Sequence, residues 1–260
     1  MALDDEDYRK AIDLYQTVLD KQRRALGPSH PIMFDTMGRL GSLLVRVGRS
    51  DDALKVMTDL LQRQLQAVGP DHPSALETEA RLASTYIQTG RSADALTLLG
   101  RLIPRMNDVL GECDVRTLEA RFAYASVLRS LLRWNEALAS YEDVLQDQIE
   151  TFGPDHPTTL RTRRSIVSVL TAIESSREAL DQSTALLQDE SRVLGPDHPI
   201  TLDTRGYHVG ALASLGWHDQ ALTAAKDLLA DRERVLGPAH SSNSWLRQLI
   251  ADLDQQTDSR

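Results

Sequence analysis

Glycine returns every 42 residues along this chain of 260 residues, within a nearly constant phrase. The glycines are Gly27, Gly69, Gly111, Gly153, Gly195 and Gly237. The phrase reads Gly-Pro-Asp-His-Pro at 69–73, 153–157 and 195–199, and Gly-Pro-Ser-His-Pro at 27–31. A fixed spacing over most of the chain means that one supersecondary unit is copied in tandem. We therefore expect an array of repeats rather than a single central core.

Each unit contains two stretches with helical spacing of apolar residues, separated by a short break. In the unit that begins at Pro31, the break is Gly48-Arg49-Ser50 and the second stretch ends at Gly69-Pro70. The pattern predicts two antiparallel helices of about 16 to 18 residues. We expect the linker glycine to adopt the left-handed conformation just past a helix, and the Asp or Ser of the phrase to cap the next helix.

The register divides the whole chain, 1–260, into one all-α solenoid of antiparallel helix pairs. It predicts a half repeat over 3–25, full repeats over 31–68, 73–110, 115–152, 157–194 and 199–236, and a C-terminal capping helix over 243–256. The half repeat leaves two hypotheses open. The chain is the C-terminal part of a longer protein, or its uncapped N-terminal helix packs on another copy.

Several equivalent positions resemble the tetratricopeptide repeat (TPR). They include a small residue at Gly41 or Ala83, Tyr86, and the turn glycines Gly48 and Gly90. An alanine also recurs in every second helix, at Ala11, Ala53, Ala95, Ala137, Ala179 and Ala221. The long period and the linker phrase are similar to the repeats of kinesin light chains and many actinobacterial proteins. The resemblance implies a right-handed superhelix that binds peptides in a concave groove lined by the first helices.

Composition excludes several classes of function. The net charge of −9 and the pI near 5.3 argue against direct binding of nucleic acid, which needs a basic surface. The single cysteine, Cys113, cannot form an internal disulfide, and the acidic N-terminus has no apolar targeting segment. No stretch has the length of a membrane span. We therefore expect a cytoplasmic protein with no membrane contact.

The linker histidines are the most conspicuous candidates for chemistry. They are His30, His72, His156, His198 and His240. Equivalent residues of stacked repeats are separated by at least a helix diameter of about 10 Å, whereas zinc–nitrogen bonds are about 2 Å long. We therefore predict a structural role and no metal or cofactor. Since no phosphate-binding, zinc-protease or serine-hydrolase motif is present, we predict that the chain is not an enzyme.

The family's groove, mapped onto the first helices, predicts a ligand-binding face. Its residues are Arg39, Ser42, Arg81, Ser84, Phe122, Ser126, Arg129, Arg164, Ser168 and Tyr207. The asparagine pair with which related proteins hold a ligand's main chain is missing. Because arginine binds carboxylates through paired hydrogen bonds, we expect an acidic or mixed peptide. Alternatively, the arginines are solvated or pair with Asp35, Glu77, Glu119 and Asp203, one turn earlier.

The third repeat departs from the others, since its linker reads Gly111-Glu112-Cys113-Asp114-Val115. A local change of pitch and a groove widened for a ligand both remain open. The function predicted from the sequence is a protein–protein interaction scaffold. The alternative is a C-terminal sensor or assembly domain of a larger bacterial signalling or transcriptional regulator. Self-association through the N-terminal helix is a further hypothesis.

Overall fold

The computed structural model describes residues 5–27 and 30–258, and the side chains of 6–27 and 30–255. The start of the half repeat 3–25, Pro28 and Ser29 of the first linker, and the Gln256 side chain lie outside the described residues. Contacts divide the chain into two compact units, Met1–Leu132 (unit 1) and Arg133–Arg260 (unit 2). The single array over 1–260 stays a prediction.

The described residues of unit 1 form an all-α structure. Its helices are α1 (Asp5–Leu26), α2 (Pro31–Arg46), α3 (Ser50–Val68), α4 (Pro73–Gln88), α5 (Ser92–Leu110) and α6 (Val115–Ser130). We call α2, α4 and α6 first helices, and α1, α3 and α5 second helices, by their place in the repeat. Each helix packs on the next, and α4 also packs on α2 and α6. The first helices therefore lie side by side.

Unit 2 repeats this arrangement over its described residues. Its helices are α7 (Trp134–Phe152), α8 (Pro157–Ala172), α9 (Ser176–Val193), α10 (Pro199–Ser214), α11 (His218–Leu236) and α12 (Asn243–Asp258). Here α8, α10 and α12 are first helices, and α7, α9 and α11 are second helices. Consecutive helices pack on each other, and α8 also packs on α10. The predicted all-α fold of helix pairs is confirmed.

The alanine column, apart from the half-buried Ala11, lies in the core of both units. Ala53 and Ala95 in unit 1, and Ala137, Ala179 and Ala221 in unit 2, are all completely buried. A methyl side chain lets two helices approach closely, while leucines above and below fill the remaining space. Leu76 in unit 1 and Leu202 in unit 2 are likewise fully buried at equivalent positions. This repeated apolar seam holds each unit together.

The linker glycines have a conformation that differs from the predicted one. At Gly69, Gly111, Gly153 and Gly237, φ lies between 86° and 97° and ψ between 152° and 168°. The expected left-handed helical conformation is therefore wrong, because its ψ is near 45°. The observed region is open almost only to glycine. The chain leaves each of these second helices extended, which gives the following linker room to turn back.

Histidine, rather than Asp or Ser, caps most of the first helices. In each of the five linkers that contain a histidine, the imidazole Nδ1 accepts a hydrogen bond from the backbone N–H two residues later, at 3.2–3.3 Å. The proline after the histidine occupies the first helical position in α2, α4, α8 and α10, so the histidine is the residue at the cap. Asp114 caps α6 instead, accepting from the Arg116 N–H at 2.9 Å.

The linker aspartate of unit 1 has a different role from the predicted cap. Arg105 of α5 donates from Nε to Asp71 Oδ1 at 3.0 Å and also to the carbonyl of Pro70. Its Nη1 donates to both carboxylate oxygens of Glu79 on α4, at 2.9 and 3.0 Å. The Glu79 side chain is only 8% exposed. Arg105 therefore neutralises a buried carboxylate and fastens the linker to its own repeat.

Unit 2 has ion pairs at the same positions with the opposite polarity. Arg163 and Asp189, equivalent to Glu79 and Arg105, pair at 2.7 Å. Asp189 then pairs with Arg192, whose two Nη atoms bond both oxygens of the linker Asp155. The next repeat has the same network with Arg205, Asp231, Arg234 and Asp197. Hydrogen bonds from the arginines lower the pKa of all four aspartates.

Candidate functional site

The seven predicted site residues of unit 1 differ in accessibility. Arg39 and Ser42 on α2, Arg81 and Ser84 on α4, and Arg129 on α6 are exposed, while Phe122 and Ser126 on α6 are half-buried. The hydroxyls of Ser42, Ser84 and Ser126 donate to the carbonyls of Gly38, Ala80 and Phe122 at 2.9–3.1 Å. The serines therefore satisfy their hydroxyls within their own helices and act mainly as small residues on the face.

Two arginines of unit 1 pair one turn back, as the alternative interpretation predicts. Arg39 Nε lies 2.8 Å from Asp35 Oδ2, and Arg81 Nη2 lies 2.7 Å from Glu77 Oε1. All four side chains are at least 46% exposed. Exposed pairs of this kind contribute about 1 kcal/mol or less. A ligand that offers carboxylates can therefore exchange with these acidic partners, but the face mixes both charges and is not a purely basic surface.

A glycine on α2 provides space for one of these arginines. A methyl group built on Gly38 would lie 3.2 Å from Nη1 of Arg81 and 3.9 Å from Leu60. Contacts at 3.2 Å are tighter than side chains normally accept. Gly38 therefore lets the guanidinium of α4 lie directly against α2, across the space between two first helices.

The three predicted residues of unit 2 are all half-buried. Arg164 and Ser168 lie on α8, and Tyr207 lies on α10. Arg164 does not pair one turn back; its Nη1 lies 4.0 Å from Oε1 of Glu190 on α9. Tyr207 packs against a small core of Leu160, Val167 and Leu186. These side chains therefore form part of the packing as well as part of the surface.

Glu190 is a charged residue at a position that is uncharged in all the preceding repeats. Its side chain is completely buried, and neither carboxylate oxygen accepts a hydrogen bond from the described residues. Burial raises the pKa of Glu190. In the preceding repeat the equivalent Gln148 accepts a hydrogen bond from Thr162 Oγ1 at 2.6 Å. Unit 1 has Gln22, Gln64 and Met106 at equivalent positions.

A cavity of about 460 Å³ opens on the predicted face of unit 2. Its lining residues come from α8, α10, α11, the last linker and α12, and are Thr171, Asp203, Gly206, Tyr207, Gly210, Arg232, Ser242 and Trp245. Of the residues predicted from the sequence as site residues, Tyr207 lines it, whereas Arg164 and Ser168 do not. The structure therefore brings one predicted site residue together with Arg232, Ser242 and Trp245, which the sequence analysis did not single out.

Arg232 forms one end of this cavity and is only 3% exposed. Its Nη1 donates to the Ser242 carbonyl at 3.0 Å. Its Nη2 donates to the Leu202 carbonyl at 3.0 Å and to Asp203 Oδ1 at 3.2 Å. The Nε–H has no acceptor among the described residues. Burial lowers the pKa of Arg232, because the charged form loses solvation there.

Two glycines of α10 shape the cavity. A methyl group on Gly206 would lie 3.2 Å from Arg232 Nη2 and 3.7 Å from Cζ2 of Trp245, so the glycine lets both groups approach the helix backbone. A methyl group on Gly210 would meet nothing within 4 Å. Gly210 therefore lies beside open space, one helical turn from the tightly filled position at Gly206.

The internal register contains a signal for the residues that sequence reasoning missed. The positions equivalent to Arg232 hold Gln22, Gln64, Met106, Gln148 and Glu190. The positions equivalent to Trp245 hold Asp35, Glu77, Glu119, Arg161 and Asp203. Arg232 is the one cation in its column, and Trp245 is the one apolar residue in a column of charged residues. Both line the same cavity.

The part of the chain that the structure describes has neither a cluster of metal ligands nor a membrane-spanning helix. No three or more His, Cys, Asp or Glu side chains there come together as the ligands of a metal ion. None of the helices there is both long and apolar enough to cross a lipid bilayer.

Comparison with solved structures relates the fold to known repeat proteins at low sequence identity. The nearly identical TPR-like repeats of a Podosopora anserina protein described as a kinesin light chain match with a TM-score of 0.71 and 19% identity, over 80% of this chain and 98% of that one. BtubC from P. vanneervenii matches with a TM-score of 0.74 and 14% identity, over 88% of this chain and 92% of that one. YrrB, a TPR protein described as having an unusual peptide-binding site, matches with a TM-score of 0.55 and 13% identity. The match covers 89% of this chain and 98% of that one.

Comparison by sequence identifies the family. None of the curated proteins matches the chain significantly. The family model for the tetratricopeptide repeat, however, matches residues 1–66, 33–108 and 116–188. These ranges cover well over half of the chain. They contain the alanine column from Ala11 to Ala179 and the linker histidines His30, His72 and His156. The chain belongs to the tetratricopeptide repeat family.

Proposed function

We propose that this chain is a protein-interaction scaffold, which binds a segment of a partner protein on the faces of its first helices. The observation that carries the proposal is the cavity on α10, because it opens beside Tyr207 on the face that the repeat register marks for ligands. A buried, purely structural face would leave no such space beside Gly210. We propose no catalytic step for the chain.

The fold and its relatives support this proposal. TPR repeats form extended surfaces on which neighbouring helices present side chains to a ligand. YrrB, with a comparable fold, is described as having a peptide-binding site. In unit 1 the exposed arginines stand beside serines that need no further hydrogen-bond partner. This combination offers charged groups with free space next to them.

The acidic character of the partner segment is the finer part of the proposal. Arg39 and Arg81 hold their present carboxylate partners only through exposed pairs within one helix. A carboxylate of the partner can accept the same hydrogen bonds without displacing any buried group. Binding would then depend on ionic strength, because salt screens exposed charges.

Selection from a library of short random peptides displayed on phage tests the proposal. We expect the full chain to enrich peptides that contain Asp or Glu. The double substitution Arg39→Glu and Arg81→Glu should weaken their affinity roughly tenfold or more through like-charge repulsion. Arg49→Glu is the matched control, since Arg49 is also an exposed arginine paired within one turn, but at the start of α3.

The two parts of the proposal fail in different ways. A chain that enriches no peptide above background contradicts the scaffold function on these faces. Enriched peptides whose affinity is the same for both charge-reversed proteins contradict only the role of Arg39 and Arg81. Circular dichroism of each variant must show an unchanged helix content for either comparison to count.

A further inference from the structure

We infer that the cavity of unit 2 is a slot for one basic side chain, arginine or lysine, of the bound segment. This inference rests on the proposed function and specifies the chemistry of one of its contacts. Four features carry it: the shape of the cavity, the charge that is accessible in it, the guanidinium groups that already lie against the first helices, and the departure of its residues from the internal repeat.

The shape fits a long, thin side chain. Gly210 leaves one wall of the cavity open, since nothing lies within 4 Å of the place where a side chain would begin. Tyr207 on α10 and Trp245 on α12 border the same space, and Trp245 is 43% exposed. Aromatic side chains on both helices offer flat apolar surface to the methylene groups of a lysine or arginine.

The accessible charge in the cavity is negative. Arg232 is 3% exposed, and it donates to two backbone carbonyls and to Asp203. The Asp203 side chain, in contrast, is 59% exposed and makes its one ion pair through Oδ1 at 3.2 Å. A ligand entering the slot therefore meets a carboxylate next to aromatic rings. A cation is favoured by both, through a charge-assisted hydrogen bond and through cation–π attraction.

In both units, a glycine of a first helix already has a guanidinium group of the chain itself lying against it. In unit 1, Nη1 of Arg81 occupies the space in front of Gly38, and in unit 2, Nη2 of Arg232 occupies the space in front of the equivalent Gly206. One turn further on, unit 1 and α8 have Ser42, Ser84, Ser126 and Ser168, whereas α10 has Gly210. The geometry beside a first helix thus suits a guanidinium, and only α10 has a glycine at the second position.

The cavity also combines residues that depart separately from the repeat. Gly210 stands in a column of serines and Trp245 in a column of charged residues, while the column of Arg232 holds three glutamines, Met106 and Glu190. These residues lie on three different helices. Packing alone does not require three such changes to meet at one place, whereas a site for a ligand does.

The test uses short peptides of the form acetyl-Gly-Ser-Xaa-Ser-Gly-amide, in which Xaa is Arg, Lys, Gln, Glu or Phe. The full chain is labelled with 5-fluorotryptophan, and its three tryptophans give fluorine NMR signals. The Trp245 signal is assigned by its loss in Trp245→Phe. We expect the Arg and Lys peptides to shift the Trp245 signal in a saturable manner, with Trp134 and Trp217 unchanged.

Variants separate recognition from folding. Asp203→Asn keeps the shape of the side chain and should weaken binding of the Arg peptide by roughly fivefold or more. Asp181→Asn, a matched change of an exposed aspartate on α9, should leave it unchanged. The Gln peptide, whose side chain is polar, shorter and uncharged, should bind at least roughly fivefold more weakly than the Arg peptide.

Each of the other outcomes contradicts the proposal that the cavity binds a basic side chain. A preference for the Glu peptide would make Arg232 the recognising group, and a preference for Phe would make the cavity an apolar pocket. A Trp245 shift that appears on concentrating the protein without peptide would mean that a second copy occupies the cavity. If no peptide shifts Trp245 while the chain still enriches displayed peptides, the slot is wrong and the scaffold function stands.

Discussion

Unit 1 and unit 2 are built from one repeat, but they distribute charge in different ways. Unit 1 buries the Glu79 carboxylate and neutralises it with Arg105, and the column that contains Gln64 stays uncharged. Unit 2 reverses the polarity of that ion pair and extends it to the linker through Arg192. It also places Glu190 and Arg232 inside the column that is neutral in unit 1.

The difference shows which parts of the repeat are free to change. The alanine column and its leucines are buried in both units, because each helix pair needs the same close contact. The polar columns are constrained only to satisfy their hydrogen bonds and charges, which several residue combinations can do. Unit 2 departs most in these columns, and one of its departures, Arg232, lines the cavity on α10.

The largest expected effect is the loss of Arg105. Arg105→Met should lower the free energy of unfolding of unit 1 by about 3 kcal/mol, because it leaves the buried Glu79 carboxylate without its partner. Arg163→Met in unit 2 should cost about 1 kcal/mol, since Asp189 is 30% exposed and keeps Arg192. Urea unfolding followed by circular dichroism reports both units, whereas tryptophan fluorescence reports unit 2, which contains all three tryptophans.

A polarity exchange sharpens this first prediction. Glu79→Arg with Arg105→Asp gives unit 1 the polarity of unit 2, but places the new carboxylate near Asp71 and Asp108. Adding Asp108→Arg supplies the equivalent of Arg192 and should restore most of the lost stability. If Arg105→Met and Arg163→Met lowered the free energy of unfolding by the same amount, the different roles assigned to the two networks would be wrong. They would also be wrong if the triple variant recovered no stability.

Glu190→Gln is expected to stabilise unit 2 by about 1–2 kcal/mol at neutral pH. Burial raises the pKa of Glu190, so its ionised form opposes folding above the folded-state pKa. The advantage of glutamine should therefore shrink as the pH falls through that value and vanish below the unfolded-state pKa of about 4.3. Tryptophan fluorescence during urea unfolding at several pH values measures this dependence; a gain that does not change with pH would contradict the role of the buried charge.

A smaller effect is expected from one hydroxyl group. Thr159 in unit 2 donates from Oγ1 to the Gly153 carbonyl at 2.9 Å, so Thr159→Val should cost about 1 kcal/mol. The equivalent Thr117 in unit 1 is fully buried, and its Oγ1 has no partner among the described residues. Thr117→Val should therefore be neutral or slightly stabilising. Thermal and urea unfolding of the two variants provide the comparison, and an equal loss in both would show that the hydrogen bond is not the cause.

The sequence predicts the helices well, because the apolar spacing and the glycine period mark the start and end of each helix directly. The buried Ala95 and Ala179 follow from the same register. The cap assigned to Asp or Ser was wrong, because Pro73 and its equivalents begin the helix and leave the preceding histidine at the cap. Asp71 pairs instead with Arg105, 34 residues away, a contact that depends on how the helices pack.

The candidate site was predicted only in part for a related physical reason. The first-helix positions of Arg39, Arg81 and Tyr207 follow from the register, and the structure places all three on first helices. The cavity, however, depends on α11 and α12 as well as α10, through Arg232 and Trp245. Periodicity gives the face of one helix, whereas a cavity depends on the side chains of several helices at once.

The most direct measurement for the central claim, that the cavity on α10 is the contact for a ligand, is the affinity of selected peptides for Gly210→Leu. A Cβ atom at position 210 meets nothing within 4 Å. We expect the rest of the leucine side chain to fill the cavity. Because it replaces a glycine inside a helix, it should leave stability unchanged or raise it by about 1 kcal/mol. Gly100→Leu, in α5 of unit 1, is the matched control. We expect Gly210→Leu to abolish binding and Gly100→Leu to leave it intact. Unchanged affinity in a folded Gly210→Leu protein would show that the cavity is not the ligand contact.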